Sequence, residues 1–338
     1  MKAINKINWL IILLASLIIG CGVSKDTQKE NEIVWPAPPD EPRVKYIKTL
    51  QSEDEFLSGF GKAAQIITGK TSDLRLMRPF DVTTDGKGKV FVSDMEQGLI
   101  LFDEVNKKVV PLGAKSTLPL GRIVGIAFGN EKLFVGSTEL RGIVALTLDG
   151  SVIRTYGSKG QFPNPVDVTY DKYLNRIIVV DNKIHQVVVF SEDGDSLFTI
   201  GERGEEDGQF NFPQSAAVDK ESNIYVVDAF NFRVQVFDKD GKYLRKFGQQ
   251  GNVFGMFERP KGIALDSYGN IYVVDAMHNN FQIFNKDFDL LMFVGRYSDR
   301  DNLGFLNPVG ITIDENNRIY VADQVNERVQ IFQLLKGN

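Results

Sequence analysis

The side chains best suited to catalysis or metal binding are few in this sequence and far apart. Its 338 residues include one cysteine, Cys21, and two histidines, His185 and His278. One cysteine and two histidines are too few for the Cys-rich or three-His ligand sets of zinc and iron–sulfur sites. The sequence also contains no nucleophile elbow and no glycine-rich phosphate-binding loop. These features favour a binding protein over an enzyme.

Cys21 directly follows a short apolar segment. Residues 1–20 contain lysines at positions 2 and 6 and an apolar run over residues 9–19, which is too short for a membrane span but typical of a signal peptide. The run ends in Leu17-Ile18-Ile19-Gly20-Cys21, which resembles the lipobox of bacterial lipoproteins. The resemblance implies cleavage before Cys21, diacylglycerol on its sulfur and stable membrane anchoring. The alternative is an ordinary secretory signal that happens to contain a cysteine.

Residues 21–42 are predicted to be a tether. The first half is polar, and residues 35–42 contain four prolines, too many for a helix or a central strand. We expect a stiff spacer, with Trp35 docked on the folded domain. Glycine at position 22 is not the aspartate retention signal known in some two-membrane bacteria. By the sorting rule of such lipoproteins, the resemblance implies that the protein is located in the bacterial cell envelope. Where two membranes exist, it implies the outer membrane, facing the periplasm.

A repeat organises the rest of the chain. A five-residue apolar phrase that usually ends in Asp occurs six times, 43 to 48 residues apart, beginning at Val90, Leu133, Ile177, Ile224, Ile271 and Ile319. Around it, each period contains four short segments rich in β-branched and aromatic residues. This pattern is typical of a propeller blade and unlike the 3.6-residue stripe of a helical solenoid. Six copies predict six blades.

The ends of the repeat region predict how the ring closes. The last copy stops soon after Phe332, so its fourth strand is missing. Residues 45–50 resemble residues 242–247, the fourth strand of another copy. We therefore predict that an N-terminal strand completes the last blade, which removes the exposed edges of an open array.

One insertion, residues 52–78, interrupts the repeat. Ser52-Glu53-Asp54-Glu55 resembles a helix capping box, and apolar residues follow it at helical spacing. We expect an amphipathic helix of about fifteen residues. It either covers the channel mouth as a lid, serves as a docking element, or fills a gap beside the first blade.

The repeated phrases resemble NHL repeats. The last three copies match closely, as in the third-strand segments Asn231-Phe232-Arg233-Val234-Gln235-Val236-Phe237-Asp238 and Asn326-Glu327-Arg328-Val329-Gln330-Ile331-Phe332. The resemblance covers residues 43–338 and implies an all-β, six-bladed NHL propeller. The second blade departs most, because Gly129 and Ser137 stand where the two repeated aspartates belong. NHL propellers include peptide, RNA and small-molecule binders as well as lyases and hydrolases, so the resemblance indicates the fold more sharply than the function.

Aspartates recur at the first turn of the blades and at the end of the second strands. The first set is Asp85, Asp171, Asp219, Asp266 and Asp314. Such an array resembles a catalytic or calcium-binding set, but regular spacing distributes the carboxylates around a ring. We therefore expect them to accept hydrogen bonds from turn amides.

Asp81 and Asp167 are less regular. They are the only charges in two rows of small residues that we expect to line the propeller axis. Six-bladed lactonase-like enzymes hold calcium in that position, so an axial Ca²⁺ and a calcium-dependent lactonase or esterase-like activity form the alternative functional hypothesis. A water-filled channel with two solvated carboxylates is the other interpretation. No other cofactor is predicted.

Basic side chains gather in the loops of one face. We expect the loops that enter the first strands and those that follow the second strands to share it, because strand direction alternates within a blade. The candidate ligand-binding residues there are Arg78, Arg122, Arg259, Arg233, Arg328, His185 and His278. Arginine grips carboxylates bidentately, so an envelope protein with an acidic segment or a small anionic ligand is the expected partner. The alternative is that some of these arginines pair with neighbouring acids as scaffold.

Charge and composition narrow the function further. The chain is 43% hydrophobic and has a formal net charge of −5, which excludes disorder and argues against a nucleic-acid partner. We therefore predict a membrane-anchored bacterial lipoprotein whose propeller is a protein- or ligand-binding scaffold in the cell envelope.

Overall fold

The computed structural model describes residues 32–56, 74–113, 116, 118–299 and 301–335. The predicted signal peptide, Cys21, the first part of the tether and most of the predicted inserted helix lie outside these residues. Within the described ranges, no helix has the length and apolar character needed to cross a membrane. The compact unit begins at Ile33. The folded body thus starts earlier than residue 43, the boundary predicted from the sequence.

Two strands precede the first repeat, and each repeat then forms one antiparallel sheet. The leading strands are β1 (Val34–Trp35) and β2 (Val44–Leu50). Blade 1 contains β3 (Pro79–Thr84), β4 (Lys89–Asp94), β5 (Gly98–Asp103) and β6 (Lys108–Leu112). Blade 2 contains β7 (Ile123–Gly129), β8 (Lys132–Ser137), β9 (Gly142–Leu146) and β10 (Val152–Tyr156). Blade 3 contains β11 (Pro165–Asp171), β12 (Arg176–Asp181), β13 (Gln186–Ser191) and β14 (Ser196–Ile200).

The remaining blades follow the same order. Blade 4 contains β15 (Pro213–Val218), β16 (Ile224–Asp228), β17 (Arg233–Phe237) and β18 (Tyr243–Phe247). Blade 5 contains β19 (Pro260–Leu265), β20 (Ile271–Asp275), β21 (Asn280–Phe284) and β22 (Leu290–Val294). Blade 6 contains β23 (Pro308–Ile313), β24 (Arg318–Asp323) and β25 (Arg328–Leu334), and two short 3₁₀ helices occur at Glu53–Phe56 and Ala229–Asn231.

The first strands of the blades surround the axis. Each first strand contacts the next, and β23 of blade 6 contacts β3 of blade 1, so the ring is closed. Clusters of buried apolar side chains fill the space between adjacent sheets. The second strands supply many of these side chains because both faces of their sheets are covered. The predicted six-bladed all-β propeller is confirmed.

The N-terminal residues complete blade 6. Strand β2 pairs antiparallel with β25, with Tyr46 opposite Phe332, which confirms the predicted closure. Strand β1 adds a fifth strand beyond β2, in residues for which the proline-rich sequence predicts a spacer and no strand. The Trp35 ring packs edge-on against Phe332 at a centroid distance of 5.6 Å, as expected for a docked tryptophan.

The insertion begins and ends beside the first blade. Ser52 Oγ accepts a hydrogen bond from the Asp54 N–H at 3.2 Å, and Glu53–Phe56 forms one 3₁₀ turn. Ser52 pairs with Arg75 in an isolated bridge that joins the two ends of the insertion. The described residues between 52 and 78 contain no α-helix, and the rest of the predicted helix falls outside the described residues.

Candidate functional site

A cavity of about 810 Å³ follows the propeller axis. The first strands of all six blades line it from the level of Asp81 and Asp167 down to the first turns, and a few residues of the outer strands of blade 4, such as Val236 and Arg245, complete the lining. At the mouth, Lys172 Nζ of blade 3 lies 2.6 Å from Glu315 Oε1 of blade 6. We call this end of the ring the lower face. The upper face is the opposite end, formed by the loops that enter the first strands and the loops that follow the second strands. The cavity lining includes no residue of the upper-face loops.

Asp81 connects blade 1 to blade 2. Its Oδ2 accepts the backbone N–H of Ile126 at 2.9 Å, and its Oδ1 accepts that of Val82 at 2.9 Å. Desolvation between the blades and the nearby charge of Asp167 raise the pKa of Asp81 well above its usual value. One oxygen of this carboxylate therefore bonds to the next blade, and the other bonds within its own strand.

Asp167 performs the same task between blades 3 and 4. Its Oδ2 accepts the N–H of Ala216 at 2.8 Å, its Oδ1 accepts that of Val168 at 2.8 Å, and burial raises its pKa. Among the described residues, no group of three or more His, Cys, Asp or Glu side chains is placed to hold a metal ion. Each of the two aspartates joins its blade to the next through one backbone amide, and the axial calcium site given as an alternative stays a prediction. Sequence reasoning missed this role because the partner amides lie in the next blade.

The first-turn aspartates are turn caps, as predicted. Each accepts two backbone N–H bonds of its own turn, at distances between 2.8 and 3.3 Å; the five residues are Asp85, Asp171, Asp219, Asp266 and Asp314. Their carboxylates are therefore structural.

The aspartates that end the second strands fasten the upper-face loops. Asp94 accepts the N–H groups of Met77 and Arg78 from the loop entering its blade, at 2.7 and 2.8 Å. In blade 2, Ser137 replaces this aspartate: its Oγ donates to Leu120 O at 2.6 Å and accepts from Leu140 N at 3.0 Å. The Ser137 hydroxyl thus also links the end of the second strand to the entering loop, with a smaller side chain than aspartate.

Arg233 and Arg328 are scaffold residues, which corrects their assignment to the ligand face. Both are buried, and each donates Nε–H to the aspartate ending its second strand, Asp228 or Asp323, at 2.8 Å. The Arg233 Nη2 also donates to backbone carbonyls of the entering loop, including Glu206 O at 2.8 Å. Arg328 makes equivalent bonds in blade 6. The guanidinium groups of Arg233 and Arg328 therefore spend their hydrogen bonds on groups within the protein.

The side chains of the two histidines are largely inaccessible to solvent. His185 is buried, its Nδ1 accepts the N–H of Phe212 at 3.1 Å, and the two rings meet edge-on. The His278 side chain is 10% exposed, 3.6 Å from Asp275 Oδ2 and 3.7 Å from Glu258 Oε2. Their predicted role as freely presented ligand groups is therefore not what the fold provides.

Arg78, Arg122 and Arg259 lie where the sequence placed them. All three are exposed on the upper face, immediately before β3, β7 and β19. Arg259 Nη2 donates to Asn307 Oδ1 at 2.6 Å. Within the described part of the chain, no carboxylate lies within ion-pair distance of the three guanidiniums.

An aromatic and aliphatic sector lies beside these arginines on the upper face. Phe230 of blade 4 is 57% exposed and its ring lies 4.9 Å from that of Phe212, and Met277 of blade 5 is 51% exposed. The upper face thus combines cations with accessible apolar side chains, a mixture common in protein-binding surfaces.

Comparison with protein families identifies the fold. A family model described as a 6-bladed beta-propeller matches residues 166–234 and 220–297, and an NHL-repeat model matches residues 305–332. The chain is a six-bladed β-propeller of the NHL type. No curated protein matches it.

Solved structures resemble this NHL propeller at low sequence identity. They include virginiamycin B lyase from Staphylococcus aureus (13% identity, TM-score 0.56, covering 78% of this chain and 98% of that one). A protein from Bacteroides thetaiotaomicron has 15% identity and a TM-score of 0.63, covering 78% and 71%. A chain of a nidogen/laminin complex has 15% identity and a TM-score of 0.55, covering 72% and 88%. Identities this low show the shared fold alone.

Lys261 of the NHL propeller is an upper-face cation that the sequence pattern did not single out. Lys261 is the second residue of β19, two residues after Arg259, and its Nζ donates to Gln214 Oε1 of blade 4 at 3.1 Å. The available signal was its position: the corresponding residues of the other blades are uncharged, namely Phe80, Val124, Val166, Gln214 and Val309.

Proposed function

We propose that this NHL propeller is a lipid-anchored scaffold of the bacterial cell envelope that binds an acidic protein partner through its upper face. The observation that carries the proposal is a contrast between two sets of arginines. Arg176, Arg233 and Arg328 are buried and paired with aspartates. Arg78, Arg122 and Arg259 are exposed, and no described carboxylate pairs with them. Exposed arginines without acid partners are well suited to bind carboxylates from another molecule.

The arrangement of these cations favours one extended partner. Blades 5, 6, 1 and 2 are consecutive around the closed ring, and Arg259, Arg78 and Arg122 lie on three of them. The apolar residues Phe230 and Met277 extend the same face over blades 4 and 5. A polypeptide segment with several carboxylates and an apolar residue would contact both sectors, whereas a small anion would meet only one or two of the cations.

We expect replacement of the three arginines to weaken binding of an acidic peptide. In Arg78→Ala/Arg122→Ala/Arg259→Ala, the affinity for a fluorescent hexaglutamate peptide, measured by anisotropy at low salt, falls by roughly tenfold or more. Added salt weakens binding to the wild-type protein and has less effect on the variant, because the lost contacts are electrostatic.

The matched control removes three cations from the lower face. Lys172→Ala/Lys220→Ala/Lys239→Ala loses the same amount of charge. When both variants are compared at physiological salt, where exposed charges more than about 8 Å apart are largely screened, we expect the affinity of this control to stay within about twofold of wild type. Equal losses in both variants would indicate a general charge effect and reject the upper face as the binding surface. A wild-type protein that does not bind the peptide rejects the function.

The proposed anchor depends on Cys21. We expect Cys21→Ser to move the protein from the membrane fraction to the soluble fraction and to abolish incorporation of labelled fatty acid, because the lipids require the sulfur. The folded domain starts at Ile33, so the soluble variant retains its melting temperature. Membrane attachment and lipid labelling that persist in Cys21→Ser would refute the anchor.

A further inference from the structure

Lys261 is the charged member of a ring of residues at the upper end of the axis. The second positions of the first strands form a ring, and four of the other five are occupied by apolar side chains. Three of these, Val124, Val166 and Val309, are buried, and Lys261 is half-buried in the same ring. A lysine in such surroundings loses hydration without gaining an ion pair, which disfavours the charged folded state.

The partner of Lys261 inside the protein is neutral. Nζ donates one hydrogen bond, to Gln214 Oε1, and no carboxylate of the described residues lies within ion-pair distance. An ammonium group has three N–H donors, so donors remain for a ligand. Burial and the neighbouring Arg259 guanidinium lower the pKa of Lys261, as expected for an ammonium without a counter-ion.

Gln214 is itself held in place for this contact. Its Nε2 donates to the Phe212 carbonyl at 3.3 Å while its Oε1 accepts from Lys261. The amide therefore links the lysine of blade 5 to the aromatic sector of blade 4. It orients the ammonium without neutralising its charge, so the attraction to an incoming anion is retained.

We propose that Lys261, oriented by Gln214, receives one carboxylate of the acidic partner at the upper mouth of the axis. This inference rests on the proposed function and specifies its central contact. The exposed arginines bind the flanking acidic residues, and the half-buried ammonium binds a single carboxylate in a less hydrated site. Charge-assisted hydrogen bonds are stronger there than at an exposed surface. The carboxylate comes either from an acidic side chain or from the end of a polypeptide chain.

The test uses Lys261→Met, which keeps most of the side-chain volume and removes the charge. We expect hexaglutamate to bind roughly ten- to a hundredfold more weakly, as for the loss of a charge-assisted bond. Comparing hexaglutamate that has a free C-terminus with its C-terminal amide distinguishes the two sources. A side-chain carboxylate gives equal losses for both peptides, and a chain terminus gives a loss for the free acid alone.

Thermal melting separates a binding role from a structural one. We expect Lys261→Met to melt at or above the wild-type temperature, because an unpaired, poorly hydrated charge is replaced by an apolar group. Lys220→Met is the matched control: its Nζ donates to Ser267 O on the lower face, so neither the affinity nor the melting temperature changes appreciably. In wild-type protein, bound peptide protects Lys261 from acylation by acetic anhydride.

The outcomes separate this inference from the proposed function. If Lys261→Met binds hexaglutamate as wild type does while the triple arginine variant does not, the upper face binds anions and the role of Lys261 is refuted. If Lys261→Met loses affinity together with several degrees of melting temperature, and peptide leaves Lys261 unprotected, the lysine is structural. If wild type does not bind, both proposals fail.

Discussion

Gly125→Ala is expected to destabilise the propeller strongly. A Cβ atom added at Gly125 in β7 would lie 2.3 Å from Asp167 Cα and 2.7 Å from Val168 N, both backbone atoms of β11 in the next blade. Backbone atoms cannot yield as a flexible side chain can, so blades 2 and 3 would have to separate. Overpacking of this kind costs about 3 kcal/mol or more when nothing can move aside. Chemical denaturation monitored by circular dichroism measures the change.

A second effect adds to the first. Asp167 accepts the Ala216 N–H of blade 4, so displacement of its backbone also disturbs the next interface. Gly136→Ala in β8 is the matched control: its nearest neighbour would be Gly125 O at 3.5 Å, an ordinary contact. We expect its unfolding free energy to stay within about 1 kcal/mol of wild type. If Gly125→Ala were as stable as Gly136→Ala, close backbone contact between blades 2 and 3 would be disproved.

At one repeat position near the axis, five of the six blades contact the following blade either through an aspartate carboxylate or through a glycine, and blade 4 has Ser215, whose Oγ accepts the Ile263 N–H at 3.3 Å. In blades 1 and 3 the residue is Asp81 or Asp167, and its carboxylate reaches the amide of the following blade. In blades 2, 5 and 6 it is glycine, and the neighbouring backbone comes so close that a Cβ would collide with it. The sequence suggested crowding at this position. It did not show that the Asp81 carboxylate bonds to the next blade, because the partner is a backbone amide more than forty residues away.

The repeat made the fold predictable because each blade restates the same strand and turn pattern. The closing strand was predictable for the same reason, since residues 45–50 match a fourth strand. Strand β1 was not, because an edge strand tolerates neighbouring prolines that would break a central strand. Its two residues pair with β2 and with no other strand of the described residues.

The sequence predicted where the candidate site residues lie in the fold, but it did not predict which of their side chains are exposed. Arg78, Arg122 and Arg259 follow from their place before the first strands. Arg233 and Arg328 occupy equally suggestive positions, yet they are buried by carbonyl groups of loops 24 to 27 residues earlier. Lys261 was missed because its significance depends on what surrounds it. Burial and missing counter-ions are properties of the folded chain.

Phe332→Ala is the second substitution with a large expected effect, and it tests ring closure. The Phe332 ring is almost completely buried and contacts the rings of Trp35, Tyr46, Phe281 and Phe305 at centroid distances of 5.6 to 5.9 Å. Truncating a buried phenylalanine to alanine costs about 3–5 kcal/mol. The lost contacts hold β1 and β2, which are far in sequence from the other strands of blade 6. We therefore expect local opening of these two strands as well as a lower melting temperature.

Phe237→Ala in blade 4 provides the comparison. Phe237 is equally buried and contacts Phe210 and Tyr243, but its fourth strand follows directly in the chain. We expect similar losses of global stability in both variants. Amide hydrogen exchange of residues 44–50 should accelerate at least tenfold in Phe332→Ala and stay near the wild-type rate in Phe237→Ala. Only Phe332→Ala weakens the packing of the closing strand β2, so only this variant lets β2 open without global unfolding. Protection of β2 that is unchanged in Phe332→Ala would show that backbone pairing with β25 closes the ring without the aromatic cluster.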